Sequence, residues 1–108
     1  MHEVSIRQRS GVMTLINVFT VDPERLQELM DLLTEVADNL MRKQPGFVSA
    51  SLHRSADGRR IVNYAQWHTP EDFEAVRNNP DLQPHFARVA ALAHIDPIVC
   101  DVAHVFAA

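Results

Sequence analysis

Three side chains in this sequence are placed to do chemistry: Asn17, Asn63 and Trp67. The stretch Ile61-Val62-Asn63-Tyr64-Ala65-Gln66-Trp67 is β-branched and aromatic and follows the turn dipeptide Asp57-Gly58, so it reads as a strand. Strand side chains alternate between faces, which groups Ile61, Asn63, Ala65 and Trp67. That face is apolar except for one amide and one indole N–H. A buried amide needs partners, and either the core or a ligand must supply them. Asn17 poses the same question, as the one polar side chain among Met13, Leu15, Phe19 and Val21. Amide N–H groups are hydrogen-bond donors for a ligand oxygen. The indole adds a further donor and a flat apolar wall. A histidine can take a proton near neutrality. From the residues alone, the chemistry is that of an apolar pocket with convergent donors.

Other chemistries lack their residues. The single cysteine, Cys100, excludes an internal disulfide and a multi-cysteine metal site. None of the six histidines shows metal-ligand spacing with a carboxylate, so no metal is expected. No Gly-rich phosphate loop is present, which argues against a nucleotide cofactor. The net charge of −4 with no Lys/Arg cluster gives no nucleic-acid footprint. Residues 1–11 are polar, without the apolar run of a signal peptide, and no stretch approaches the ~20 apolar residues of a membrane span. The expectation is a cytoplasmic protein with no membrane partner.

The elements that position these residues are legible in order. Residues 1–11 read as a flexible N-terminal arm and 12–108 as a single domain. A first strand covers about Val12 to Val21. Asp22-Pro23-Glu24 starts a helix, with Asp22 as cap and Pro23 at the first position. Leu26, Leu29, Met30, Leu33, Val36, Ala37, Leu40 and Met41 form its apolar stripe, and Pro45-Gly46 ends it. Phe47 to Arg54 is a second strand, with Phe47, Ser49, Ser51 and His53 on one face and Val48, Ala50 and Leu52 on the other. A two-residue turn at Asp57-Gly58 would set Leu52 opposite Asn63, whereas a longer bulged turn would set His53 there.

Thr69-Pro70-Glu71-Asp72 starts a short helix that carries Phe73 and Val76 and breaks at Asn78-Asn79-Pro80. A further helix spans about Asp81 to Ala93, with Leu82, Phe86 and Val89 inward. A last strand is expected from Ile98 to Phe106. The order β-α-β-β-α-β is the ferredoxin-like α+β arrangement. Helices cover one face of such a sheet. The other must also be covered, since Leu15, Phe19, Ile61 and Trp67 or their strand neighbours lie on it. Two sheets packed face to face in a symmetric homodimer would cover it, leaving a pocket between the sheet and the helices of each subunit.

Gln44-Pro45-Gly46-Phe47-Val48, His53, Asp57-Gly58 and Val62-Asn63-Tyr64-Ala65-Gln66-Trp67 together resemble the antibiotic-biosynthesis monooxygenase family. The likeness runs from about Val12 to Phe106 and is strongest to the small cofactor-free anthrone oxygenases of aromatic polyketide pathways. The resemblance implies a dimeric α+β barrel. It also implies an aromatic small-molecule substrate, no cofactor, and dioxygen as co-substrate in oxidation of a polycyclic anthrone, phenol or quinol to a quinone. It implies catalytic roles for Asn17, Asn63 and Trp67, and substrate contacts from His53 and from His85, which follows Pro84. In one branch a Tyr works with an Arg of the later helix; here Phe73 replaces the Tyr, and Arg88 lies near the Arg position. Haem-degrading relatives combine a first-strand Asn, a helical Trp and a haem-ligating His. Asn17 and His85 match two of these, but the helical Trp is absent at Ala75-Val76-Arg77. A haem-degrading protein or a non-enzymatic dimeric binding module are the alternative readings.

Overall fold

A computed structural model describes residues 3–8 and 10–108. Its elements are β1 (Met13–Val21), α1 (Leu26–Asn39), β2 (Phe47–Arg54), β3 (Arg60–Trp67), α2 (Pro70–Arg77), α3 (Gln83–Leu92) and β4 (Ala93–Cys100). Single 3-10 turns lead into α1 and α3 and follow α1. The sheet order is β2-β3-β1-β4, with every neighbouring pair antiparallel. This is the ferredoxin-like α+β arrangement that the order of elements predicts. The helix starts are capped as their sequences require: Asp22 accepts from the N–H of Glu24, and Thr69 from that of Asp72.

The helices pack on the sheet face that carries Leu15, Phe19, Ile61 and Trp67. The opposite face bears Ile16, Val18, Val62 and Tyr64, all half-buried within one chain. Near one end of that face Gln66 accepts from Ser49 at 2.9 Å and donates to the carbonyl of Ser5 at 3.1 Å, which ties part of the N-terminal arm to the sheet. Residues 1, 2 and 9 of the arm lie outside the described residues.

Two expectations are corrected. The last strand is Ala93–Cys100, not Ile98–Phe106, and it follows α3 without a loop. Its pairing explains the shift: Val21 faces Ala93 and Thr14 faces Cys100, so β1 is used up where β4 ends. Pro97 falls within β4, which is tolerable because β4 is an edge strand. The second correction concerns β2. An irregularity between Phe47 and Ser49 makes Val48 an extra residue, so Phe47 joins the face of Ala50 and Leu52. Val48 is left exposed.

The core falls into two clusters. One joins Phe19, Val21 and Ile61 to the α1 leucines and Val89 of α3. The other joins Met13, Leu15, Ala65 and Trp67 to Val76 and Leu82. Between Phe19–Ile61 and Leu15–Ala65 lies one cross-strand row: Leu52, Asn63, Asn17 and Pro97. The division of the core therefore falls at the two amides.

Candidate active site

A cavity of about 310 Å³ lies between the sheet and the helices. That volume is at the lower end of the range usual for small-molecule sites. β1 and β3 supply its floor through Leu15, Asn17, Phe19, Asn63, Ala65 and Trp67. α1 supplies Leu33, Val36 and Ala37, and α2 supplies Phe73, Val76 and Arg77. The lining is carbon-rich, as an aromatic ligand requires.

Asn17 and Asn63 are directly opposed across the β1–β3 ladder. The side-chain carbonyl oxygen of each is buried without a hydrogen-bond partner. Leaving a buried polar atom unpaired costs about 1–3 kcal/mol. Two such atoms side by side in an apolar cavity mark a place where the fold does not satisfy itself. The core therefore does not supply the partners that these amides need, and a ligand group that bonds them recovers that cost.

Trp67 is 3% exposed and forms the aromatic end of the site. Phe47 meets it edge-on, with ring centroids 5.4 Å apart, and Phe73 is tilted against it at 6.1 Å. Trp67 lies four positions along the strand from Asn63, a backbone span of roughly 13 Å. The amide pair and the aromatic wall thus occupy different parts of one elongated space.

The remaining sequence candidates divide. Phe73 lines the cavity. His53 does not: it pairs with Val62, is exposed and belongs to the open face, while Leu52 stands opposite Asn63. Of the two registers open to the hairpin, this is the one that turns His53 away. His85 and Arg88 also lie outside the lining. α3 turns Phe86 and Val89 inward, and their chain neighbours are rotated about 100° from that direction. His85 is partly buried, and its Nδ1 has no partner. Because its ring does not line the cavity, it is not placed to ligate a haem there. Arg88 is exposed, with its guanidinium 4.0 Å from Glu35 of α1.

Sequence reasoning did not single out Arg77, the one ionisable side chain of the lining. The signal was present, since Phe73, Val76 and Arg77 follow the helical i, i+3, i+4 spacing. Among the described residues, no group of three His, Cys, Asp or Glu could hold a metal ion, and no helix is long and apolar enough to cross a membrane.

A four-stranded antiparallel sheet, helices on one face and an aromatic-lined cavity with unpaired amide oxygens define a small α+β domain with a ligand-sized cavity. The antibiotic biosynthesis monooxygenase family model matches residues 12–91, and the chain belongs to that family. It is 48% identical over 104 residues to tetracenomycin-F1 monooxygenase of Streptomyces glaucescens, covering 96% of this chain and 93% of that one. SnoaB of Streptomyces nogalater, a cofactor-independent oxygenase, superposes with a TM-score of 0.77 at 28% identity, covering 87% of this chain and 95% of its own. The monooxygenase ActVA-Orf6 of Streptomyces coelicolor, in complex with nanaomycin D, gives 0.78 at 25% identity, covering 89% and 91%. The chain is accordingly a monooxygenase of the cofactor-independent kind.

Proposed function

We propose that this protein oxidises a polycyclic anthrone, phenol or quinol to a quinone with dioxygen, using Asn17, Asn63 and Trp67. Two amides with unpartnered carbonyl oxygens, opposed inside an apolar, aromatic-walled cavity, carry this reading. The names of the relatives agree with it, since one acts on tetracenomycin F1 and another holds nanaomycin D. An anthrone has an acidic C–H because its carbanion is delocalised as a phenolate-like enolate. That anion can pass an electron to dioxygen directly. The resulting radicals combine at the ring carbon as a peroxide, which loses water to leave the carbonyl. Both atoms of dioxygen are accounted for, one in the quinone and one in water.

The chain's part is to favour the anion and to hold the adduct. The unpaired Asn17 and Asn63 carbonyl oxygens accept from a phenol or hydroperoxide O–H, and their amide N–H groups donate to the enolate or peroxide oxygen in a site of low dielectric. Trp67, with Phe47 and Phe73, clamps the far ring. The lining contains no histidine or carboxylate, so the C–H proton leaves to water through the open side of the cavity. Oxygen uptake by metal-stripped, flavin-free protein on an anthrone substrate tests the proposal. A rate no faster than the uncatalysed one would overturn it.

The open sheet face supports a second part of the proposal. Ile16, Val18, Val62 and Tyr64 form an apolar patch that a second copy would cover, giving a homodimer located in the cytoplasm.

A further inference from the structure

We propose that Arg77 is a specificity-determining residue, which selects polycyclic substrates carrying a carboxylate on the ring remote from the oxidised carbon. The inference deepens the oxygenase reading and names the substrate class of the same cavity.

Its first support is composition. The cavity is lined by aliphatic and aromatic groups, two amides and a single ionisable side chain, that of Arg77. A protein with a formal net charge of −4 does not attract an anionic ligand by its overall field. Arg77, a lining residue whose side chain is more than half exposed and so stands at the cavity's edge, can supply that attraction locally.

The second support is placement. Arg77 occupies the last turn of α2, on the face that also turns Phe73 and Val76 toward the ligand space. Phe73 lies against Trp67, so this face belongs to the aromatic end of the site, away from the amide pair. Gln83 donates its side-chain amide to the carbonyl of Arg77 at 2.8 Å and to that of Asn79 at 3.1 Å, which pins the end of α2. The Arg77 backbone is thereby fixed while its side chain is half free to solvent.

The third support is the weakness of the competing partner. Arg77 Nη1 lies 3.4 Å from Glu74 Oε1, one turn earlier, and both side chains are more than half exposed. Exposed pairs of this kind contribute little. A substrate carboxylate can accept two parallel N–H bonds from the guanidinium, a stronger arrangement than the single contact to Glu74. Attachment to a ring already held by Trp67 also removes most of the ordering cost of that bond.

The test uses the intact protein and needs no turnover. Trp67 is the only tryptophan and lines the cavity, so its fluorescence reports ring binding. The probes are anthraquinone-2-carboxylate and its uncharged analogue 2-(hydroxymethyl)anthraquinone. The parent is expected to bind the carboxylate about tenfold more tightly, as one charge-assisted contact allows. R77Q should abolish that preference, and R77K should retain part of it. A helix-end cation with a purely structural role would leave the preference unmoved in R77Q. Equal affinity of the parent for both probes, no binding of either, or a preference that persists in R77Q would each overturn the assignment. In turnover of an acidic substrate, the R77Q loss should fall mainly on KM rather than kcat. Binding with the expected preference but no oxygen uptake would instead overturn the oxygenase reading and leave Arg77's role standing.

Discussion

Asn17 stands directly opposite Asn63 in the middle of the sheet, and neither side-chain carbonyl oxygen has a partner in the protein. The relationship separates stability from function. Because neither amide oxygen is bonded, Asn17→Ala and Asn63→Ala break no hydrogen bond through those oxygens. Their melting temperatures should match or exceed that of the parent. Activity should behave in the opposite way. Loss of one donor to a developing oxyanion typically lowers kcat on the order of 100-fold. If both amides serve one oxygen, the double variant should lose less than the product of the two single losses. Steady-state oxygen uptake and thermal unfolding on the four proteins decide this. Full additivity would show that the amides act on separate groups.

Trp67 gives a second separation. Trp67→Phe keeps an aromatic ring against Phe47 and Phe73 but removes the indole N–H and some contact area. Ring binding should weaken only a few-fold if the wall is its main contribution. A fall in kcat much larger than the change in ligand Kd would assign the N–H to the reacting end of the substrate. Given the roughly 13 Å of strand between Trp67 and Asn63, we expect the smaller effect, measured by isothermal titration beside turnover.

How much of this was legible in the sequence follows from the range of the forces involved. The α1 stripe, the caps at Asp22 and Thr69 and the alternation of β1 and β3 are local patterns, and the fold follows them. The opposed amides were legible as anomalies of the same local kind, each a polar residue on an apolar face. What was not legible depended on partners distant in the chain. Pro97 and the charged Asp96 disguise β4, which is a strand because β1 pairs with it at an edge. The extra residue Val48 reverses Phe47 because Trp67 must be opposed on the neighbouring strand. His53 turned on a hairpin register that the turn sequence leaves open. His85 and Arg88 adjoin the inward Phe86 and Val89 in sequence but point elsewhere by helical geometry.

Gly46 ties the end of the α1 segment to the start of α2. Its φ is 83°, and a Cβ there would overlap the Asp72 carboxyl. Its carbonyl accepts from the N–H of His68 at 2.7 Å, next to the aromatic end of the cavity. Gly46→Ala should therefore combine backbone strain with a steric clash, a loss of roughly 2 to 4 kcal/mol. Urea unfolding measures it. Asp72→Gly in the same chain should recover the steric part and leave the strain, because the overlap involves the Asp72 Cβ as well as its carboxyl group.

The β2–β3 turn should respond to acid. The Ser55 hydroxyl, donating at 2.7 Å, and the N–H of Arg59, at 3.0 Å, hold the Asp57 carboxyl below its ordinary pKa. A carboxyl whose pKa is lowered by folding binds protons more readily in the unfolded chain. Its stabilising effect is therefore complete above the unfolded pKa and is lost as pH falls through the folded one. Asp57→Asn should lower the melting temperature at neutral pH. The gap from the parent should close in acid, below the usual aspartate range. A gap independent of pH would assign the effect to the shape of the turn rather than to its charge.

The open face makes the last prediction. Val62 lies at its centre, between Val18 of β1 and His53 of β2 in the cross-strand rows. It is half-buried in one chain, so a polar group there can reach water when the chain is alone. Val62→Glu should therefore fold as a monomer, with the cavity face, on the opposite side of β3, untouched. In a homodimer joined through this face the same carboxylate would be desolvated without a partner, at a cost of several kcal/mol per ion. Sedimentation equilibrium should show a dimer for the parent and a monomer for the variant at equal helical content. If the parent is a monomer, the face is covered in some other way. If the variant remains a dimer, the subunits meet elsewhere.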